Sequence, residues 1–336
     1  MPTLSTGDLS RHFLAGRRTQ QVKADLLTLQ RELGTGRVAD TARHLGSDAG
    51  RLLHVNHRIA AIDSHVVANR LTADRLAQMQ ISLDAMETRR SGLADHALSL
   101  PVPPTDARLD GFADAARTGF SAMLADLEVS VAGRRLFGGA ASDGPVLAGS
   151  DAILAELRLA VSGATKADEV AARINDWFTA SGGGFETMGY LGADGAADAP
   201  RLGDGSVATI SVRADSTDLR GVLAAAALGA ILDGGPPGLP REERAALARR
   251  SGLALLSAAG PFAESRGRLG RAEQAVETAT VRLQSERTSL LIQRNDMVTA
   301  DPFATATRLQ EVQTQLQITF EVTARLAGLS FADYIR

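Results

Sequence analysis

Ten positions, stepped alternately by three and four residues from Leu52 to Leu83, constrain this chain more than anything else in it. They are Leu52, Val55, Ile59, Ile62, Val66, Asn69, Ala73, Leu76, Gln80 and Leu83; eight are apolar, and neither proline nor glycine interrupts them. A stripe of that period runs along one side of a helix and is stable only when other helices cover it. Asn69 and Gln80 break it, either to fix register or because the seam is partly exposed there. A second stripe lies near the other end: Leu269, Ala272, Val276, Ala279, Leu283, Leu290 and Met297, interrupted by Glu286 and Gln293. Two long amphipathic helices at opposite ends of a chain are natural antiparallel partners, each burying what the other exposes.

Outside them lie two further helical runs. Val22, Leu26, Leu29 and Leu33 form a short seam that stops at Gly34 and Gly36. After Met297, Asp301 is placed to cap a helix with Pro302 at its first position. Leu309, Val312, Leu316, Phe320 and Leu326 line its apolar side, and Gly328 is expected to end it. Both ends of the chain thus carry a terminal helix, a break and a longer inner helix.

Between these segments the texture changes. The prolines of "PVPP" (101–104) stop the first long helix, and 107–135 resumes a helical pattern. Glycine is frequent from "LFGGAASDG" onwards. Residues 151–180 read as two helices, "GFETMGYLG" and "SVATISVRA" as two strands, and 217–232 as a helix, before "DGGPPGLP" marks a boundary. Three parts follow: residues 1–38 with 300–336, residues 39–137 with 239–299, and an inserted α/β part at 138–238.

Composition bears on class. Aromatics make up 4% of the chain, few for a thick globular core and sufficient for helical seams filled by Leu, Ile, Val and Ala. Lys+Arg 36 against Asp+Glu 39 leaves a net charge of -3, without the basic face that nucleic acid selects. With no cysteine, disulfides and thiol catalysis are out of reach. The amino terminus lacks the apolar run of a secretory signal, and "GVLAAAALGAIL" is too short to span a bilayer, so no membrane insertion is expected.

Catalytic and ligand motifs are wanting. The six histidines, His12, His44, His54, His57, His65 and His96, all fall in the first hundred residues. His54 and His57 could share a metal on one helix face, but "HVNH" lacks the HExxH pattern, and exposed helix histidines explain the pair. "VSGATKAD" and "SGGGFETMGYLG" do not complete a phosphate loop. Asp194, Asp198 and Asp204 sit in a segment where Asp-Gly turns account for them. No enzyme, cofactor or metal site is expected.

Three stretches do carry a resemblance. "LQRELGTGRVADTARHLGSDAGRLLHVNHRIAAI" resembles the amino-terminal signature of the bacterial flagellin family, with Leu33, Gly34, Gly36, Arg37, Asp48 and Ala49 at its marked places and Gly34 where Ser is usual. "LEVSVAGRRLFGG" is similar to the family's Gly-Arg-Tyr-Leu-Phe-Gly segment: Arg134, Leu136, Phe137 and Gly138 match, and Arg135 replaces Tyr. The ending "LAGLSFADYIR" looks like the tail of the family's hook–filament junction branch, through Leu329, Ser330, Phe331, Asp333, Tyr334 and Ile335. The likeness covers roughly 5–146 and 261–336.

The resemblance implies a mainly α fold: an elongated helical rod built from amino- and carboxyl-terminal segments, with a small α/β domain inserted. It implies a structural subunit of the flagellum that assembles through its terminal helices, with Leu26, Leu29, Leu33, Leu309, Leu316 and Phe320 at the interface. Its partners would be copies of itself, neighbouring hook-associated protein and flagellin subunits, and an export chaperone. Its place would be extracellular, reached without a cleaved signal. A filament flagellin and a soluble coiled-coil signalling or adaptor protein are the competing readings.

Overall fold

A computed structural model describes residues 6–141, 143–195, 199–234 and 239–334, with side chains described from residue 13 to residue 325. The chain is mainly α. Among the described residues there are ten α-helices: α1 (Thr6–Thr35), α2 (Thr41–Leu45), α3 (Ala49–Leu98), α4 (Asp106–Leu127), α5 (Ser150–Ala160), α6 (Ala167–Thr179), α7 (Thr217–Ala230), α8 (Arg241–Ser257), α9 (Ala259–Val298) and α10 (Pro302–Tyr334). The chain divides into two compact units, one of residues 1–62 with 285–336, the other of residues 63–284. The division falls within α3 and within α9.

In the first unit α1 packs on α10. Gly36 ends α1 with φ +65°, the left-handed value that glycine adopts freely, and its N–H bonds the Glu32 carbonyl at 2.8 Å. The chain then pairs with the segment before α10. Val38 N–H donates to the Val298 carbonyl at 3.0 Å, Ala300 N–H donates to the Gly36 carbonyl at 3.0 Å, and Arg37 faces Thr299 in an antiparallel bridge. Because α1 ends and α10 begins at this bridge, the two helices run antiparallel. Asp301 caps α10 as the sequence predicts, accepting from Phe303 N–H at 2.8 Å and Ala304 N–H at 3.2 Å. In the same unit, Arg58 on α3 forks onto Glu286 on α9 with contacts of 2.7 and 2.9 Å.

The second unit holds the larger core. Here α3 and α9 run antiparallel, as successive polar contacts record: Asn69 with Thr280, Gln80 with Glu273 and with the Arg266 carbonyl, and Asp84 with Arg266. Leu76, Met79, Leu83, Leu269, Ala272, Val276 and Ala279 are buried in the core. The long hydrophobic run of α7 has Leu219 and every residue from Val222 to Ala230 buried, because α4, α6 and α8 pack around it. Its small residues admit close neighbours: a Cβ on Gly229 would lie 2.8 Å from the Ala116 Cβ and 3.0 Å from Phe112 Cζ. Ser251 on α8 bonds the Ala225 carbonyl at 2.8 Å, satisfying a hydroxyl that is fully buried.

Several sequence expectations are corrected. Neither expected strand forms. Phe185–Gly189 is a π-helical turn closed by Tyr190 N–H on the Phe185 carbonyl at 2.7 Å. Its rings join Trp177 and Phe178 in an aromatic cluster with centroids 4.8–6.5 Å apart. Residues 206–214 do alternate, with Ala208, Ile210, Val212 and Ala214 buried, yet among the described residues they form no strand, Val207 meeting Arg201 only in an isolated bridge. The sheet among the described residues is instead the hairpin of β1 (Ser130–Val131) and β2 (Arg134–Arg135), inside a stretch expected to be helical. Ala132 and Gly133 at its tip both have positive φ, the tight turn that suits a two-residue connection. Finally, α10 passes Gly328 and continues to Tyr334. A glycine inside a helix costs only about 1 kcal/mol against alanine, and no proline follows it.

Candidate assembly surface

The terminal pair α1/α10 is where the sequence places its interface residues. Leu26, Leu29, Leu309 and Leu316 are half-buried, while Leu33 is 42% and Phe320 49% exposed. Val22 and Thr305 are buried. The Lys23 ammonium stands 5.5 Å from the centroid of the Phe320 ring, a cation–π contact that covers one face of an otherwise open aromatic. The two-helix seam therefore covers part of the apolar surface and leaves the rest facing outward.

A second apolar face, absent from the sequence expectations, lies beside the first. Leu14, Ile318 and Val322 are each about half exposed or more. Leu14, Ala15 and Arg18 from α1 and Thr314, Ile318 and Val322 from α10 line an open groove of about 840 Å³. Ile318 and Val322 stand at i and i+4, so they share a helix face. That spacing is present in the sequence, but the Leu309–Leu316 stripe beside it already accounts for one helix face.

The signature residues serve two turns, each within its own unit. Gly34 lies inside the last turn of α1 with open space around its Cα, whereas Gly36 supplies the left-handed residue and Arg37 the bridge to Thr299. Glu32 steadies that turn by accepting from Ala39 N–H at 2.7 Å. In the other unit, Leu136 and Phe137 are buried beyond the hairpin. The Phe137 carbonyl accepts from Ala214 N–H at 3.0 Å and the Gly138 carbonyl from Ala193 N–H at 3.1 Å. Only glycine fits at 138, where a Cβ would lie 2.6 Å from the Ala141 carbonyl oxygen. Glu128 ties the turn shut: it pairs with Arg135 and accepts from Val146 and Leu147 N–H at 2.8 and 2.6 Å. Arg134 is half-buried in β2. Leu329, Phe331 and Tyr334 fall on α10, but their side chains, like Asp198 and Ile335, lie outside the described residues.

His54 and His57 are both exposed on α3, and no three His, Asp or Glu side chains cluster as metal ligands among the described residues. No helix among the described residues is long and apolar enough to cross a membrane.

The fold and this surface define a mainly α-helical protein whose two ends pack together and present an apolar face. Residues 257–334, spanning α9 and α10, match the family model of the bacterial flagellin C-terminal helical region. That match supports the bacterial flagellin family, whose members are structural subunits of an extracellular appendage and associate with one another. No curated protein matches the chain.

Proposed function

We propose that the protein is a structural subunit of the bacterial flagellum that joins hook to filament, in the manner of hook-associated protein 3. The open apolar face of the α1/α10 pair carries this reading. Leu33, Phe320, Ile318 and Val322 are exposed in the single chain, and fully covering a Leu, Ile or Phe is worth about 1.5–3 kcal/mol each. Neighbouring copies would supply the cover, with Leu26, Leu29, Leu309 and Leu316 completing the seam beneath. Residues 1–38 with 300–336 would form the inner tube, 39–137 with 239–299 the rod, and 138–238 an outward spacer.

The tail string "LAGLSFADYIR" supports the junction rather than the filament, with a hook-associated protein on one side and flagellin on the other. It also supports export through a chaperone-guided route.

Immunogold labelling of intact flagella tests the reading. A single collar of label at the distal end of the hook is the expected result. Label along the whole filament would make the chain a flagellin, and label absent from flagella would favour a soluble coiled-coil adaptor.

A further inference from the structure

We propose that residues 202–207 form a strap that holds α3 and α9 in one register, making the inserted region a lock on the long helices. Heptad seams tolerate a slip of one repeat, because each apolar position is replaced by another seven residues away. Something outside the apolar pattern must choose among the registers. Asn69, 1% exposed, sits where the α3 stripe turns polar. Its Nδ2 donates to the Thr280 hydroxyl of α9 and to the Leu202 carbonyl of the loop, both at 3.2 Å. Thr280 donates its own proton to the Val276 carbonyl at 2.8 Å, so it meets the amide as an acceptor. One side chain therefore ties its own helix to two other segments, and a slip of one repeat would exchange the Thr280 hydroxyl for the charged side chain of Glu273 or Arg287.

The loop is built to stay in place. Arg201 and Val207 pair across its neck, and Leu202 N–H donates to the Ser206 carbonyl at 3.0 Å. The Leu202 side chain is fully buried. Gly203 lies against the His65 side chain of α3, so close that a Cβ would stand 2.4 Å from its Cγ and 2.6 Å from its Cβ, and its φ of +80° suits glycine alone. On the α9 side, Asp204 faces Arg282 at 3.5 Å, its carboxylate also receiving Ser206 N–H at 2.9 Å. Asn69 Oδ1 is buried without a hydrogen-bond partner. An apolar residue in the stripe would avoid that cost, so the amide is retained for specificity rather than for stability.

Hydrogen–deuterium exchange on the full chain tests the strap, with peptides over residues 66–73 and 276–283 read against α4 and α7. In Gly203→Val the new side chain meets His65 and the strap lifts. Exchange in both helical segments should then rise about tenfold while α4 and α7 keep their protection, because the hydrogen bond from Asn69 to the Leu202 carbonyl is lost locally. Asn69→Ala, which adds no backbone strain, should raise the same two segments. If Gly203→Val loosens only the loop, the strap is a passenger and the proposal fails. A uniform rise across all helices in both variants would overturn it equally, by making these ordinary core contacts.

Discussion

The buried guanidinium of Arg90 on α3 donates to the Leu255 carbonyl in the last turns of α8 at 2.7 Å, while Glu87 grips its other edge at 2.6 and 2.8 Å. The cation lies near the carbonyl end of α8, where positive charge is favoured. Arg90→Met keeps the length of the side chain but leaves that carbonyl without its donor. The expected loss is about 2 kcal/mol, measured by chemical denaturation.

The same pair predicts a pH dependence. The hydrogen bond from Arg90 holds the Glu87 carboxyl below its ordinary value of 4.5. The stabilisation is therefore present above about pH 4.5 and is lost as pH falls through the lower folded value. Acid denaturation of Arg90→Met should show a shallower fall in stability over that window than the wild type.

Two glycines of one helix should respond in opposite directions. Gly229 of α7 has Ala116 and Phe112 in the space of its missing side chain, so Gly229→Val should cost about 1–3 kcal/mol through overpacking. Gly221 has open space, and Gly221→Ala should gain up to about 1 kcal/mol from helix propensity. Thermal melts of the two variants, shifting down and up, check the pair.

The break at the end of α1 offers the same contrast. Gly36→Ala forces a side chain into the left-handed region at about 1–2 kcal/mol, whereas Gly34→Ala extends a good helix at no steric cost. Amide exchange in residues 20–35 should quicken in the first variant and slow in the second.

Burial, aided by the Asp215 carboxylate, pushes the Tyr190 phenol up to about 12 from 10.0. Its hydroxyl donates to the Ala193 carbonyl at 3.3 Å. An acid raised in the folded state favours the fold fully below pH 10, and that contribution is lost as pH rises through about 12. Titration followed by tyrosinate absorbance should show one phenol ionising late, and Tyr190→Phe should flatten the alkaline limb of the stability profile.

Ile318 is 56% exposed on the open face of α10. Ile318→Asp should leave the unfolding midpoint of the monomer within about 0.5 kcal/mol of wild type, the usual range for exposed positions. It should abolish co-assembly with wild-type copies, followed by sedimentation.

The heptad stripes were legible because burial has only one way to follow a period near 3.5. Val55, Ile59, Ile62, Leu76 and Leu83 are all buried. The stripe drifts where the helix keeps its own 3.6 period: Ala73 turns outward, and Thr72, Met79 and Met86 turn in. Around 185 the pattern misled, because an aromatic cluster closes a π-turn that short-range spacing does not foresee. At 206–214 the alternation was real, but Ala208 bonds only the nearby Pro200 carbonyl and Ala214 the distant Phe137 carbonyl, so no ladder builds up. The open groove escaped because one satisfied stripe on α10 hid a second beside it. The polar seam residue Asn69 stands out in the sequence, and only its distant partners, Thr280 and Leu202, explain it.

Arg58 and Glu286 meet although 228 residues separate them in the chain. Closing so long a loop costs entropy before any contact rewards it. On the ribosome the amino-terminal share of this unit emerges first and waits while the long intervening segment is made. Its helices are consequently born without company, open to capture by whatever binding factor reaches them before their own carboxyl-terminal half arrives.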